Sequence, residues 1–317
     1  MNERPTISDL GLNPGKKARL FRILFQYGLC NGTALFLPYD QGLEHGPRDF
    51  FANPDSADPG YIARLAVEGG FNGIVLHFGL AEKFCWDFAG EVPLILKLNG
   101  KTDIPSDAEA LSPVTATVAD AVRLGADAVG YTLYVGSPAQ AADFGQYLRV
   151  REDARALGMP LIVWAYPRGA AIEAKGGKDS FYAVDYAARV ASELGADMVK
   201  VNFPHPEKRV GVPAEYDAEF SPQQAMDAVV RSANRTLVLV SGGSRAGDEA
   251  MLEKARLSAA AGATGLIFGR NVWQRGHEES LKLAGKLQET LVKYPCQSIE
   301  SFASRHRSFG EKMVLPS

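Results

Sequence analysis

Chemistry is most readily found where a charged side chain interrupts an apolar strand. The stretch Asp197-Met198-Val199-Lys200-Val201-Asn202-Phe203-Pro204 does this. Strand alternation places Met198, Lys200 and Asn202 on one face and Val199 and Val201 on the other. An ammonium held away from water costs several kcal/mol unless it is paired or gives up its proton. Giving up the proton makes the amine a nucleophile that can attack a carbonyl and form a Schiff base. The plainer reading is a lysine paired with a carboxylate inside the fold, and this stretch alone does not separate the two. A second apolar strand, Leu94-Ile95-Leu96-Lys97-Leu98-Asn99, carries another lysine. Projected into the same space, Lys97 would disfavour protonation of Lys200, or would pair with Asp40; the two readings are compatible.

Other polar residues stand at strand ends: Asp40, His77, Tyr134, Trp164, Tyr166, Ser241 and Arg270. In Asp40-Gln41-Gly42-Leu43-Glu44-His45-Gly46, Asp40 could shuttle protons or orient the Lys200 amine, or merely cap its own turn. His45 could bind a substrate hydroxyl or phosphate, or be a surface-loop histidine. Leu161-Ile162-Val163-Trp164-Ala165-Tyr166-Pro167-Arg168-Gly169 puts Trp164 and Tyr166 on one face. A tyrosine beside a cation is expected to have a lowered pKa and to serve as general acid and base, with Trp164 walling the pocket; core packing is the alternative for both. Ser241-Gly242-Gly243 and Gly269-Arg270 are small-residue loops whose backbone N–H groups suit a phosphate, with Arg270 adding a charge-assisted bond. Either loop alone could be only a turn.

These residues need a frame that gathers strand ends. Apolar runs are expected as strands at 34–39, 73–78, 92–98, 127–133, 160–166, 197–202, 236–241 and 264–268. Helical spacing falls between them, near 61–69, 79–86, 115–124, 138–156, 182–194, 222–232 and 247–260, with a last helix near 276–293. Leu124-Gly125-Ala126-Asp127 and Leu194-Gly195-Ala196-Asp197 repeat a helix-ending glycine followed at once by a strand. Eight strand–helix units over roughly 250 residues predict a single (β/α)8 barrel, in which function sits at the C-terminal ends of the strands. A doubly wound open sheet gives the same alternation, and the count of eight favours closure. Residues 1–30 read as a helical cap over the barrel bottom, 31–293 as the catalytic barrel, and 294–317 as a tail or an arm against a neighbouring subunit.

Composition narrows the function classes. A net charge of −3 over 317 residues makes no electrostatic case for nucleic acid or an anionic membrane. Three scattered cysteines (Cys30, Cys85, Cys296) suggest neither a disulfide framework nor a thiolate metal site. The five histidines show no paired ligand spacing, so neither a metal nor another cofactor is expected. The N-terminus lacks the apolar stretch of a signal peptide, and a cytoplasmic enzyme is the expectation.

Jointly, Asp40-Gln41-Gly42-Leu43-Glu44-His45, Lys97-Leu98-Asn99, Trp164-Ala165-Tyr166-Pro167-Arg168-Gly169, Lys200, Ser241-Gly242-Gly243 and Gly269-Arg270 make the chain, from about residue 30 to 290, resemble the archaeal-type class I fructose-1,6-bisphosphate aldolases, a group allied to deoxyribose-phosphate aldolase. The resemblance implies metal-free Schiff-base chemistry in glycolysis or gluconeogenesis, with Lys200 as the imine-forming lysine, Tyr166 as acid/base and Asp40 as a further catalytic residue. It implies substrate contacts from His45, Lys97, Trp164, Ser241, Gly242, Gly243, Gly269 and Arg270, and a homo-oligomer, often a decamer. Gln41 departs from the histidine of many relatives, and Ser244-Arg245 from a common lysine. Both departures bear on substrate preference more than on mechanism. Sister enzymes with the same lysine act on other phosphorylated keto compounds, as a transaldolase-like synthase or a thiolase. A non-catalytic sugar-phosphate binder is the reading from another class.

Overall fold

The computed structural model describes residues 5–207, 210–243 and 247–296. Its eight strands are β1 (Ala34–Pro38), β2 (Gly73–His77), β3 (Leu94–Lys97), β4 (Ala128–Val135), β5 (Leu161–Pro167), β6 (Met198–Val201), β7 (Leu237–Ser241) and β8 (Gly265–Ile267). They pair in sequence order into a closed parallel barrel, sealed where Phe36 of β1 meets Ile267 of β8. The chain is therefore a (β/α)8 barrel rather than an open sheet. Helices Pro59–Glu68, Phe78–Phe84, Val118–Arg123, Gln140–Ala156, Phe181–Glu193, Pro222–Ser232, Asp248–Ala260 and His277–Val292 follow the strands in turn. Three short helices went unforeseen, at Gln41–His45, Ala170–Glu173 and Arg270–Trp273. At four or five residues they are too brief to show an apolar period.

Strand alternation splits the apolar residues into two cores. Val199 and Val201 pack outward against the helices. Met198, Ile162, Val75, Ile95 and Leu239 point into the barrel, where they meet Ile7, Leu20, Ile23 and Leu24 of the N-terminal segment. The helix of that segment is capped by Asn13, whose side chain accepts from Lys16 N, and Pro14 occupies the first helical position. The helix Pro14–Phe21 runs directly into a π-helical turn, Arg22–Gln26. Asn72 satisfies this turn, donating from Nδ2 to Ile23 O (2.7 Å) and Tyr27 O (2.8 Å).

The repeated aspartates now have a purpose. Asp197 pairs with Lys16 at 2.7 Å, and Asp127 with Arg22, so the feet of β6 and β4 are tied to the segment below. Asp197 also accepts from Leu161 N at 2.8 Å. Replacing Asp197 with alanine strands Lys16, whose side chain is only 9% exposed, without a counter-charge. Such losses cost about 3–5 kcal/mol, so urea unfolding of Asp197→Ala should show that drop. Wild-type stability in the variant would mean that water reaches Lys16. Among the described residues no helix is long and apolar enough to cross a membrane. Residues 297–317, and with them most of the tail expected at 294–317, lie outside the described residues, as do Ser244 and Arg245.

Candidate active site

The strand ends surround a cavity of about 450 Å³ whose wall includes Lys200, Tyr166, His45, Ser241 to Gly243, Gly269 and Arg270. Register explains the gathering. Trp164 of β5 stands opposite Lys200 of β6, and Lys97 of β3 opposite His77 of β2. Lys200 is buried, and its Nζ is hydrogen-bonded to Tyr166 Oη and lies 4.3 Å from the centre of that ring. Burial above all lowers its pKa from the usual 10.5 to about 7, with the Lys97 cation adding to burial and Asp40 opposing it.

Behind this wall lie Asp40, Lys97 and Trp164. Lys97 Nζ is 3.4 Å from Asp40 Oδ2, donates to Thr132 Oγ1 at 2.7 Å, and sits 5.0 Å from the Trp164 ring centre. The Asp40 side chain makes no capping bond to the helix that follows it. Burial pushes its carboxyl up, but Lys97, His77 and Lys200 together prevail and hold it below the ordinary carboxylate range. His77 goes down to about 4, through burial first and Lys97 second. Asp40 and Lys97 thus act on the charge of Lys200 from behind the cavity lining, with Trp164 packed beside Lys97.

One expectation is overturned. The pKa of Tyr166 is not lowered but raised well above 10. Burial dominates, Glu44 and Asp40 add negative potential, and Arg168, 5.0 Å from the ring centre, compensates only in part. The resting tyrosine is a neutral phenol beside an amine that loses its proton near pH 7.

Gly130 makes the packing behind Lys200 possible. A β-carbon there would come within 2.6 Å of the Trp164 ring and 3.0 Å of Lys97 Cδ. Gly130→Ala should push both aside, destabilising the fold by about 1–3 kcal/mol as overpacking does and altering the acid limb of the pH–rate profile. An unchanged profile would separate Lys97 from the behaviour of Lys200.

At the far side, Gly243 has φ +70°, a conformation glycine adopts without strain, and a β-carbon on Gly242 would come within 2.8 Å of Asn271 Nδ2. Gly269 precedes Arg270, the first residue of its short helix. His45 lines the cavity with its Nδ1 2.7 Å from Asp49 Oδ2, which also lies 3.6 Å from Arg270. The cavity also has walls that sequence reasoning missed: Glu44, Lys178, Asp179, Asn202 and Lys254. Asn202 was legible in principle, sharing the Lys200 face; its Nδ2 donates to Asp179 Oδ1 (2.6 Å) and its Oδ1 accepts from Ser241 Oγ (2.8 Å). Lys254 comes from a helix and gave no local signal.

A closed barrel with a buried lysine of lowered pKa among its strand ends, and small-residue loops after β7 and β8, has the parts of a carbonyl-condensing enzyme. The profile of the DeoC/LacD family aldolases matches residues 34–275, and the chain belongs to that family. It is 42% identical over 259 residues to the class 1 fructose-bisphosphate aldolase of Thermoproteus tenax, covering 81% of this chain and 89% of that one. Identity to the class 1 fructose-bisphosphate aldolase of Halobacterium salinarum is 38% over 247 residues, covering 78% and 86%. In three dimensions it is similar to an archaeal fructose-1,6-bisphosphate aldolase solved with its catalytic lysine bound to the carbinolamine intermediate of the substrate, at 39% identity and a TM-score of 0.74, covering 86% of this chain and 99% of that one.

Proposed function

We propose that the protein is a Schiff-base aldolase that reversibly cleaves fructose 1,6-bisphosphate to dihydroxyacetone phosphate and glyceraldehyde 3-phosphate. The observation that carries this is the buried Lys200 amine, with its pKa near 7, in a cavity that also holds the Gly242–Gly243 and Gly269–Arg270 loops. Lys200 Nζ adds to the C2 ketone to give a carbinolamine. Loss of water leaves a protonated imine, and its positive nitrogen draws in the electrons of the C3–C4 bond as that bond breaks. The C4 hydroxyl proton leaves to Tyr166 as the aldehyde forms. The remaining enamine takes a proton at C3, and water hydrolyses the imine to release dihydroxyacetone phosphate and free the lysine.

The raised pKa of Tyr166 fits this cycle in one way. In the resting state it is a proton donor, suited to helping water leave the carbinolamine. Once the imine forms, Lys200 carries a fixed positive charge beside the ring, and only then does the phenol become acidic enough to cycle its proton. Asp40 and Lys97 set the charge state of Lys200, and the phosphate loops hold the substrate so that remote binding energy lowers the barrier. His45 borders the substrate on our reading, while Trp164, expected as a substrate contact, instead backs the wall beside Lys97. A homo-oligomer in the cytoplasm, a decamer being the form expected, completes the proposal; light scattering would measure its mass.

The test is borohydride reduction in the presence of dihydroxyacetone phosphate, followed by peptide mapping. The expected result is one stable adduct, on Lys200. An intact protein without an adduct would point instead to a sugar-phosphate binder. A panel of phosphorylated keto compounds checks the substrate, fructose 1,6-bisphosphate being cleaved fastest. The ascending limb of kcat/KM should be centred near pH 7, where the free amine becomes the major form. Lys97→Met should move that limb to higher pH, because removing the neighbouring cation lets Lys200 hold its proton longer.

A further inference from the structure

The phosphate loops leave one charge question open. A phosphate ester near pH 7 carries close to two negative charges, which backbone N–H groups only partly offset. Arg270 is the obvious cation, but its guanidinium lies 3.6 Å from Asp49, which also engages His45. Part of its charge is already committed.

Lys254 lines the same cavity. It does so from the helix Asp248–Ala260, although it sits about two turns into that helix. The reach follows from helix geometry. Side chains lean toward the helix N-terminus, and in this barrel the N-termini of the helices face the mouth. Its Nζ lies 3.9 Å from the point where a β-carbon on Gly243 would stand, directly over the glycine turn. Among the described residues no ion pair engages it.

We propose that Lys254 is a substrate-binding residue that grips the phosphate ester at the Ser241–Gly243 turn and so selects phosphorylated over unphosphorylated substrates. This rests on the aldolase reading and adds to it a residue that neither the strand-end pattern nor the glycine loops contain. Among the described residues, chain neighbours aside, Lys254 Nζ is the one heavy atom within 4 Å of the point where a Gly243 β-carbon would stand, which leaves that point free for a phosphate oxygen. Arg270, in the short helix after β8, lines the same cavity.

The experiment compares rates of borohydride trapping on Lys200 with dihydroxyacetone phosphate and with dihydroxyacetone, in wild type, Lys254→Met and Lys254→Arg. Inorganic phosphate serves as competitor. The ratio of the two rates should fall about 10- to 100-fold in Lys254→Met, the weight of one charged hydrogen bond. The inhibition constant of inorganic phosphate should rise in parallel, and Lys254→Arg should recover most of both. A purely structural lysine would slow both trapping reactions alike and leave their ratio fixed, which would overturn the inference. So would a Lys254→Arg variant no better than Lys254→Met. If wild type forms no adduct at all, the aldolase reading falls and this inference with it; an adduct with undiminished phosphate preference in Lys254→Met overturns this inference alone.

Discussion

Lys200→Met should lose cleavage activity by roughly 10⁶-fold, the order seen when a covalent nucleophile is removed, and should gain thermal stability at neutral pH. Few active-site substitutions separate these effects so clearly. The loss follows because no other amine in the cavity wall stands where Lys200 meets Tyr166 Oη. The gain follows from linkage. Folding takes the Lys200 pKa from 10.5 to about 7. Between those values the unfolded chain holds a proton that the folded protein has shed, so native stability rises with pH through that window. At pH 7 and below, the native state bears nearly the whole penalty, on the order of 3–5 kcal/mol. Methionine fills similar space without a charge, so its advantage should be largest near pH 7 and shrink as pH approaches 10.5. Loss of the Tyr166 contact takes back about 1 kcal/mol. Scanning calorimetry of both proteins across that range reads it directly; equal midpoints at pH 7 would mean that the Lys200 amine is solvated.

Tyr166→Phe should reduce kcat by about 10²- to 10⁴-fold, the weight of a positioned acid/base group, while borohydride still traps the imine. The two readouts separate because Tyr166 only assists the loss of water that completes the imine, whereas bond cleavage and enamine protonation both depend on a proton moved at the phenol. Exchange of the dihydroxyacetone phosphate C3 hydrogen with solvent should slow to the same degree, since it isolates that proton transfer from carbon–carbon cleavage. Unchanged exchange and turnover would remove the tyrosine from the mechanism.

Much of this site could be read before any coordinates, because a barrel converts chain order into geometry. Once eight strands are recognised, the residue at each C-terminal end must face one mouth. Lys200, Tyr166, Ser241, Gly269 and Arg270 followed from that rule. What stayed hidden has physical causes. Burial first, and carboxylates at Glu44 and Asp40 second, raise the Tyr166 pKa; none of these shows in its own strand, so a cation-based guess had the wrong sign. Asp40, Lys97 and Trp164 could be placed near Lys200, but whether they line the cavity or stand behind its wall is decided by packing depth, and for Lys97 and Trp164 the room comes from Gly130. Lys254 lies outside the strand-end rule, because its contribution comes from a long side chain bent back along a helix.

The segment beneath the barrel has a consequence for how the chain is made. Lys16 and Arg22 leave the ribosome long before their partners, Asp197 and Asp127. Until β6 emerges, the apolar stripe of Leu20, Ile23 and Leu24 has no finished floor to rest on. A nascent chain halted ahead of residue 197 would therefore expose that stripe, a natural handle for a chaperone. Release of such a handle should wait for β8, which seals the barrel two strands after the one that delivers the reactive amine.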